Sequence, residues 1–155
     1  MTPEEFYEYI EELATKHLLI NHSNNEKHYF RGELEEFYMD LRNRVNFPAL
    51  IAESYEIPFE DDAKIRESSF IIAANYHEVK NWSEIYSAMS LCERIGDEVL
   101  RKMIDDGDNG NICGTVTPII AIPIINEQHL YCGMRYTFRI SSAFETDPDE
   151  DMWRQ

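Results

Sequence analysis

Apolar residues recur at helical spacing in three segments of the chain. In the first segment, Phe6, Ile10 and Leu13 are separated by four and three positions, which places them on one helix face, and acids fill the opposite face. Thr2 lies three residues before Glu5, the pattern of a capping box at a helix start. The pattern predicts a helix that begins directly after Thr2 and ends before a turn-rich run of Asn, His and Ser.

The other two helical segments differ in how well their ends are marked. One runs from about residue 30 to residue 45 and ends before Pro48, because a proline disfavours helical geometry in the residue that precedes it. The other spans residues 82–106, with Asn81 as its predicted cap. Six apolar side chains hold one face of this third helix: Ile85, Met89, Cys92, Ile95, Val99 and Met103.

Four further segments have the patterns of strands. Residues 49–52 are short and apolar, and residues 69–74 form a continuous apolar run, which is typical of a strand buried on both faces. Residues 134–141 alternate apolar and polar side chains, which predicts a half-buried strand with one wet face. Residues 119–125 contain or adjoin two prolines. Proline cannot donate to a sheet ladder, so this segment is predicted to be an edge or bulged strand.

The order helix, helix, strand, strand, long helix, strand, strand predicts an α+β fold. We expect a small antiparallel sheet packed against helices on one face, with the first helix as an N-terminal addition. Residues 1–144 are expected to form a single domain. Residues 145–155 hold five acids and one base and are expected to form an acidic C-terminal tail.

The chain carries 30 acidic and 14 basic side chains, giving a formal net charge of −16. Direct nucleic-acid binding is therefore not expected, since it needs clustered Lys and Arg. An anionic membrane would repel the chain as well. The N-terminal residues have neither the basic nor the apolar region of a secretory signal. The expected location is the cytoplasm of a cell or infected host, or a virion.

Motifs of catalysis or cofactor binding do not emerge from the sequence, and no cofactor is predicted. The Asp-rich residues 105–110 fail the calcium-loop pattern, because the twelfth position is Val116 or Thr117 instead of Glu. They are predicted to be a helix end followed by a polar turn. The three cysteines are expected to be reduced thiols in the core.

Two histidines suggest one candidate for a metal site. His22 and His28, together with Glu33, are a candidate metal site. The spacing does not place two ligands on one helix face, so solvated loop histidines are the favoured reading.

Charged side chains supply the predicted partner or subunit contacts. Arg135 and Arg139 share the wet face of the last strand, either as internal ion-pair partners or as contacts for a neighbour's acids. In a ring of identical subunits both roles hold at once. The acidic members of the predicted contact set form two clusters: Glu60, Asp61 and Asp62, then Asp105, Asp106 and Asp108.

The order and length of elements over about residues 30–144 resemble those of small phage tail-terminator and head–tail completion proteins. The matching parts are the helix ending at 46–48, the strands 49–51 and 70–72, the helix 82–106, and the closing strand 136–140, which contains Arg139 and follows Arg135 directly. The resemblance implies a non-enzymatic protein that forms rings, often hexameric, and contacts other tail or neck proteins. A channel with acidic walls would repel the phosphates of passing DNA.

Two alternatives remain open on the sequence. The first is an acidic protein-binding module, such as an immunity-type or nucleic-acid-mimic protein, which meets a basic partner. The second is a small metal-dependent enzyme. The separated pattern of charge favours an interaction protein over an enzyme.

Overall fold

A computed structural model describes residues 1–31 and 45–154. Its elements in chain order are α1 (Pro3–Lys16), β1 (Tyr29–Arg31), β2 (Ala49–Ala52), β3 (Phe59–Glu60), β4 (Ala63–Asn75), α2 (Trp82–Asp108), β5 (Thr115–Asn126), β6 (Tyr131–Ala143) and a 3₁₀ helix (Glu150–Met152). These strands form one sheet in the order β1-β2-β4-β6-β5, with β3 paired to β4 off this path. Since α1 and α2 pack on one face of a mostly antiparallel sheet, the predicted α+β class is confirmed.

Local signals predicted both helices well. Thr2 and Glu5 form the expected capping box at the start of α1. The Asn81 side chain accepts a hydrogen bond from the Glu84 N–H at 3.4 Å, as expected for the cap of α2. The helix continues to Asp108, two residues beyond the predicted end. These starts and ends depend on neighbouring residues only, which is why the sequence shows them.

The predicted second helix is wrong at its start. Tyr29–Arg31 form a strand that pairs in parallel with β2, with Phe30 opposite Ile51. Tyr29 and Phe30 are both buried, in clusters on opposite faces of the sheet, and successive residues point to opposite sides only in a strand. The rest of that predicted helix, residues 32–44, lies outside the described residues.

The ladder between β4 and β6 is the centre of the sheet. It pairs thirteen residues, from Ala63 opposite Ala143 to Asn75 opposite Tyr131. Along β4, Phe70 and Ile72 face the helices, while Ile71 and Ala73 belong to a buried cluster on the other face. The prediction of a strand buried on both faces is therefore confirmed.

Helix α2 lies directly against the sheet where Gly96 contacts Tyr136. The Tyr136 ring stacks on Phe70, with 5.1 Å between ring centroids and 7° between planes. Its hydroxyl lies 2.9 Å from the Glu93 carbonyl oxygen and 2.8 Å from the Asp97 carboxylate, so it donates to the helix above it. A Cβ on Gly96 would overlap the tyrosine ring. Only glycine allows this approach.

We expect Gly96→Ala to lower the free energy of unfolding by about 1–3 kcal/mol, because the added methyl group displaces Tyr136 or lifts α2. Helix propensity alone would instead favour alanine by about 1 kcal/mol. Urea unfolding measures the difference. Ser90→Ala, on the exposed side of the same helix, is the matched control and should change stability by less than about 0.5 kcal/mol. A variant more stable than the parent would show that the helix does not depend on this contact.

Candidate functional site

Strand β5 is an exposed apolar edge of the sheet. It is the last strand of the path, and among the described strands it pairs only with β6. The register shifts between Pro118 and Ile120, so the predicted edge position and bulge are both confirmed. Ile120 and Ile122 remain 53% and 42% exposed. Apolar side chains exposed along a whole strand are a common sign of an interaction surface.

The alternating pattern of backbone hydrogen bonds shows to which neighbouring strand each residue of the central strands is bonded. The Glu53 N–H donates to the Ser69 carbonyl at 3.0 Å, and the Phe144 N–H donates to the Asp62 carbonyl at 2.9 Å. In antiparallel pairs the backbone groups of alternate residues point to opposite neighbours. Odd-numbered residues of β4 therefore bond towards β2 and even-numbered residues towards β6. It follows that the odd-numbered residues of β6 bond towards β5.

The two prolines of β5 consequently face the open edge. Pro118 lies opposite Phe138 and Pro123 lies opposite Met134, both even-numbered residues of β6 that bond to β4 instead. The proline nitrogens, which lack a hydrogen, point away from β6 at the edge where another strand would add. Prolines at such positions protect a sheet edge from pairing with other chains.

We expect the double substitution of Pro118 and Pro123 by Val to increase aggregation, because it supplies two N–H donors to the open apolar edge. Light scattering and thioflavin binding during incubation measure the effect. Pro3→Val, at an exposed position outside the sheet, is the control and should behave as the parent does. Unchanged scattering in the double variant would mean that the edge is protected in some other way.

The structure pairs both predicted contact arginines within the chain. Arg135 donates to both oxygens of Glu53, at 2.6 and 3.2 Å. Arg139 lies 3.3 Å from Glu60 and 3.2 Å from Glu67. Of the two roles considered, internal ion pairing is therefore the one observed. Contact with a neighbouring subunit stays a prediction.

The first acidic cluster forms the tight turn between β3 and β4. Asp61 and Asp62 have φ values of 46° and 63°, as in the primed turns that match the twist of a hairpin. Both side chains are exposed, while Glu60 pairs with Arg139. The turn therefore presents two unneutralised carboxylates at one end of the sheet.

The second acidic cluster divides into two kinds of residue. Asp105 and Asp108 are exposed near the end of α2, as expected of a contact. Asp106 is only 5% exposed. Its carboxylate accepts hydrogen bonds from the Tyr9 hydroxyl at 2.8 Å, from Asn111 at 3.2 Å and from Lys102. Asp106 thus ties α1 to the end of α2, and we leave it out of the exposed contact surface.

Burial raises the pKa of Asp106, but the hydrogen bonds from Lys102, Tyr9 and Asn111 outweigh burial and leave the pKa below its ordinary value of 3.8. A carboxyl group whose pKa is lowered by folding stabilises the native state above its ordinary pKa. That contribution is lost as the pH falls through the lowered value.

We expect Asp106→Asn to lower the free energy of unfolding by about 1–3 kcal/mol at neutral pH, since it removes hydrogen bonds to a charged acceptor. The deficit should begin to shrink below about pH 4, where the carboxyl group of the unfolded chain takes up a proton, and should disappear once the pH has fallen through the lowered pKa of the folded state. Urea unfolding at several pH values measures both effects, with exposed Asp105→Asn as the control. A deficit of equal size at every pH would contradict the assignment.

The histidines of the candidate metal site are not solvated loop residues. His22 and His28 are both buried. The His28 N–H donates to His22 Nδ1 at 3.0 Å, and His28 Nδ1 lies 2.8 Å from the Pro48 carbonyl oxygen. Glu33 lies outside the described residues. Within the described ranges, no group of three or more His, Cys, Asp or Glu side chains could hold a metal ion.

Two of the three cysteines are packed as expected. Burial raises the pKa of Cys92 to about 12 and that of Cys132 to about 11, so both thiols stay protonated at neutral pH. Cys113 is exposed, and the expectation that it lies in the core is wrong. It follows the polar turn after α2, two residues before β5 begins.

Comparison with models of known protein families finds no match to this chain, and comparison with curated proteins finds none either. Neither helix of the described residues is both long and apolar enough to cross a membrane. Strand β5, with its exposed isoleucines, is the most distinctive surface of the described residues.

Proposed function

We propose that this chain is a non-enzymatic assembly protein that associates with copies of itself through β5. The observation that supports the proposal is an exposed, isoleucine-rich strand at the edge of the sheet. Monomeric proteins rarely leave so continuous an apolar surface in water.

Charge favours β5 as the place where two copies meet. Each copy carries a net charge of −16, so most of its surface repels the same surface on another copy. No residue between Thr115 and Asn126 is ionisable, and contact there brings no like charges together within the strand. Burying one isoleucine side chain fully stabilises an interface by roughly 1.5–3 kcal/mol. Several half-exposed isoleucines can therefore offset part of the cost of association.

The form of the contact follows from the two prolines. Since the open edge lacks two N–H donors, a second copy is not well placed to extend the sheet as another strand. Packing of apolar side chains is the remaining mode of contact. If β5 meets a different patch on the next copy, the contact is heterologous, and a rotation that closes produces a ring.

The resemblance to phage tail-terminator and head–tail completion proteins gives the proposal its specific form. In that form the ring lies at the end of a tail tube or at the connector, in the host cytoplasm during assembly and then in the virion. Its other partners are tail or neck proteins. The acidic surface lines or borders a channel and repels the phosphates of DNA, so it does not bind nucleic acid directly.

We expect the double substitution of Ile120 and Ile122 by Lys to abolish self-association, because it places two charges in the apolar contact. Molar mass measured by light scattering over a range of concentrations tests this. The matched control is the same change at Val79, which is 44% exposed on another part of the surface. A parent chain that stays monomeric at high concentration would refute the proposal, as would a double variant that assembles normally.

An acidic binding module is the second candidate, and one cleft favours it. The cleft measures about 480 Å³ and is lined by Glu5, Glu8, Tyr9 and Glu12 of α1, together with residues 111–113. Three carboxylates beside one cavity suit a Lys or Arg side chain of a basic partner. Salt-sensitive binding of such a partner by a monomer would separate this candidate from self-association.

A further inference from the structure

A second apolar surface lies between the end of α1 and the middle of α2. It is a cavity of about 420 Å³, and its apolar lining comes from Leu13, Leu18, Leu19, Ile95 and Val99. Leu18 is 91% exposed, which is unusual for a leucine that borders a cavity. We call this cavity the apolar cleft. Its size is typical of sites that hold a bulky side chain or a small ligand.

Three of the four Lys, Arg and Glu side chains that line the apolar cleft are cations, in a strongly acidic protein. Lys16, Arg94 and Lys102 line it, against the single carboxylate of Glu98. Lys16 pairs with Glu12, and Lys102 pairs with Asp106. Arg94 is exposed and forms no hydrogen bond or ion pair with any residue in the described parts of the chain. The rim is thus suited to an apolar group that carries acids beside it.

The chain itself contains a segment with this chemistry. In residues 145–154, Met152 and Trp153 are 81% and 70% exposed. Acids precede them directly, and Asp149 caps the short 3₁₀ helix Glu150–Met152. We call residues 145–154 the acidic segment. Its two large apolar side chains pack on nothing that buries them, although tryptophan is usually well buried.

The acidic segment and the apolar cleft lie at opposite ends of α1. The segment follows β6, and the Phe144 N–H bonds to Asp62 next to the start of β4. Arg66 of β4 donates to the Met1 carbonyl at 2.9 Å, so this end of the sheet adjoins the start of α1. The cleft lies near Lys16 at the other end of this 14-residue helix, about 21 Å away. The acidic segment therefore does not lie in the apolar cleft of its own chain, and one chain presents both surfaces.

We propose that the apolar cleft of one copy binds the acidic segment of a second copy. Met152 and Trp153 enter the cleft, and the preceding acids meet the rim at Arg94. The contact is heterologous, so it propagates from copy to copy and closes into a ring when the rotation allows. This inference rests on the proposed self-association and names a second contact within it, separate from β5.

Trp153 fluorescence tests the inference directly. The chain has two tryptophans, so Trp82→Phe leaves Trp153 as the only one. As the concentration rises, we expect its emission to shift to shorter wavelength and iodide quenching to fall, in step with molar mass. Arg94→Glu should weaken both changes by about tenfold, equivalent to about 1.4 kcal/mol. Lys80→Glu, with the same change in net charge, is the control and should leave both curves in place.

A mixture of two charge-reversed variants provides a second test of the same contact. Asp151→Arg should associate poorly alone, and mixing it with Arg94→Glu should restore a shielded Trp153. Rising mass with Trp153 still exposed and quenched would overturn the inference and leave association through β5 standing. Shielding that is complete in a monomer, at every concentration, would mean that the segment binds its own chain and would overturn the inference too. A monomer with an exposed Trp153 throughout would refute both proposals.

Discussion

The contact of Gly96 with Tyr136 is the constraint on which the remaining structure depends. It brings a helix of 27 residues down onto the central ladder, and the tyrosine hydroxyl bonds to that helix while its ring stacks on Phe70. Once α2 is fixed there, α1 packs beside it on the same face of the sheet, and the Asp106 carboxylate joins the two helices. The apolar cleft lies between the end of α1 and the middle of α2.

How much of this arrangement the sequence predicts depends on how far apart along the chain the interacting residues lie. Both helices follow from local periodicity and caps, and the edge position of β5 follows from prolines that cannot donate. Strand β1 could not be found in this way, because its three residues are strands only through their pairing with β2, about twenty positions later. Phe30 also begins an apolar pattern at helical spacing, followed by Leu34 and Phe37, so the local signal favours the wrong element.

The candidate site shows the same limit. The sequence shows the isoleucines of β5 as an uncharged apolar run. It does not show that these side chains are exposed, because burial depends on what the fold places beside the strand. The sequence predicts Asp106 as one of the acids of the contact surface. Its burial depends on Tyr9, 97 positions earlier in the chain. His22 and His28 were likewise expected in solvent because their partners, such as Pro48, come from another segment.

The positions of the cations explain why the outer surface of the protein is acidic. Arg135 and Arg139 are used within the sheet, and Arg66 is buried with its guanidinium 4.6 Å from the Tyr55 ring centroid. Cations used inside the fold cannot neutralise the outer surface, which is left strongly acidic. In the proposed self-association, two copies therefore approach each other most easily where a surface lacks charge, as at β5, or carries a cation that is unpaired within the described parts of the chain, as at Arg94 beside the apolar cleft.

In the proposed self-association, the prolines of β5 determine what kind of assembly forms. An apolar strand with a complete row of edge donors would recruit further strands without limit, which is how sheets grow into fibres. Without donors at Pro118 and Pro123, the strand keeps its apolar attraction but offers an incomplete ladder. Side-chain packing against a differently shaped patch is the contact that remains, and its fixed geometry sets one rotation between neighbours. A fixed rotation can close on itself, so in the proposed self-association the isoleucines of β5 supply the attraction and its prolines favour a finite assembly over an endless one.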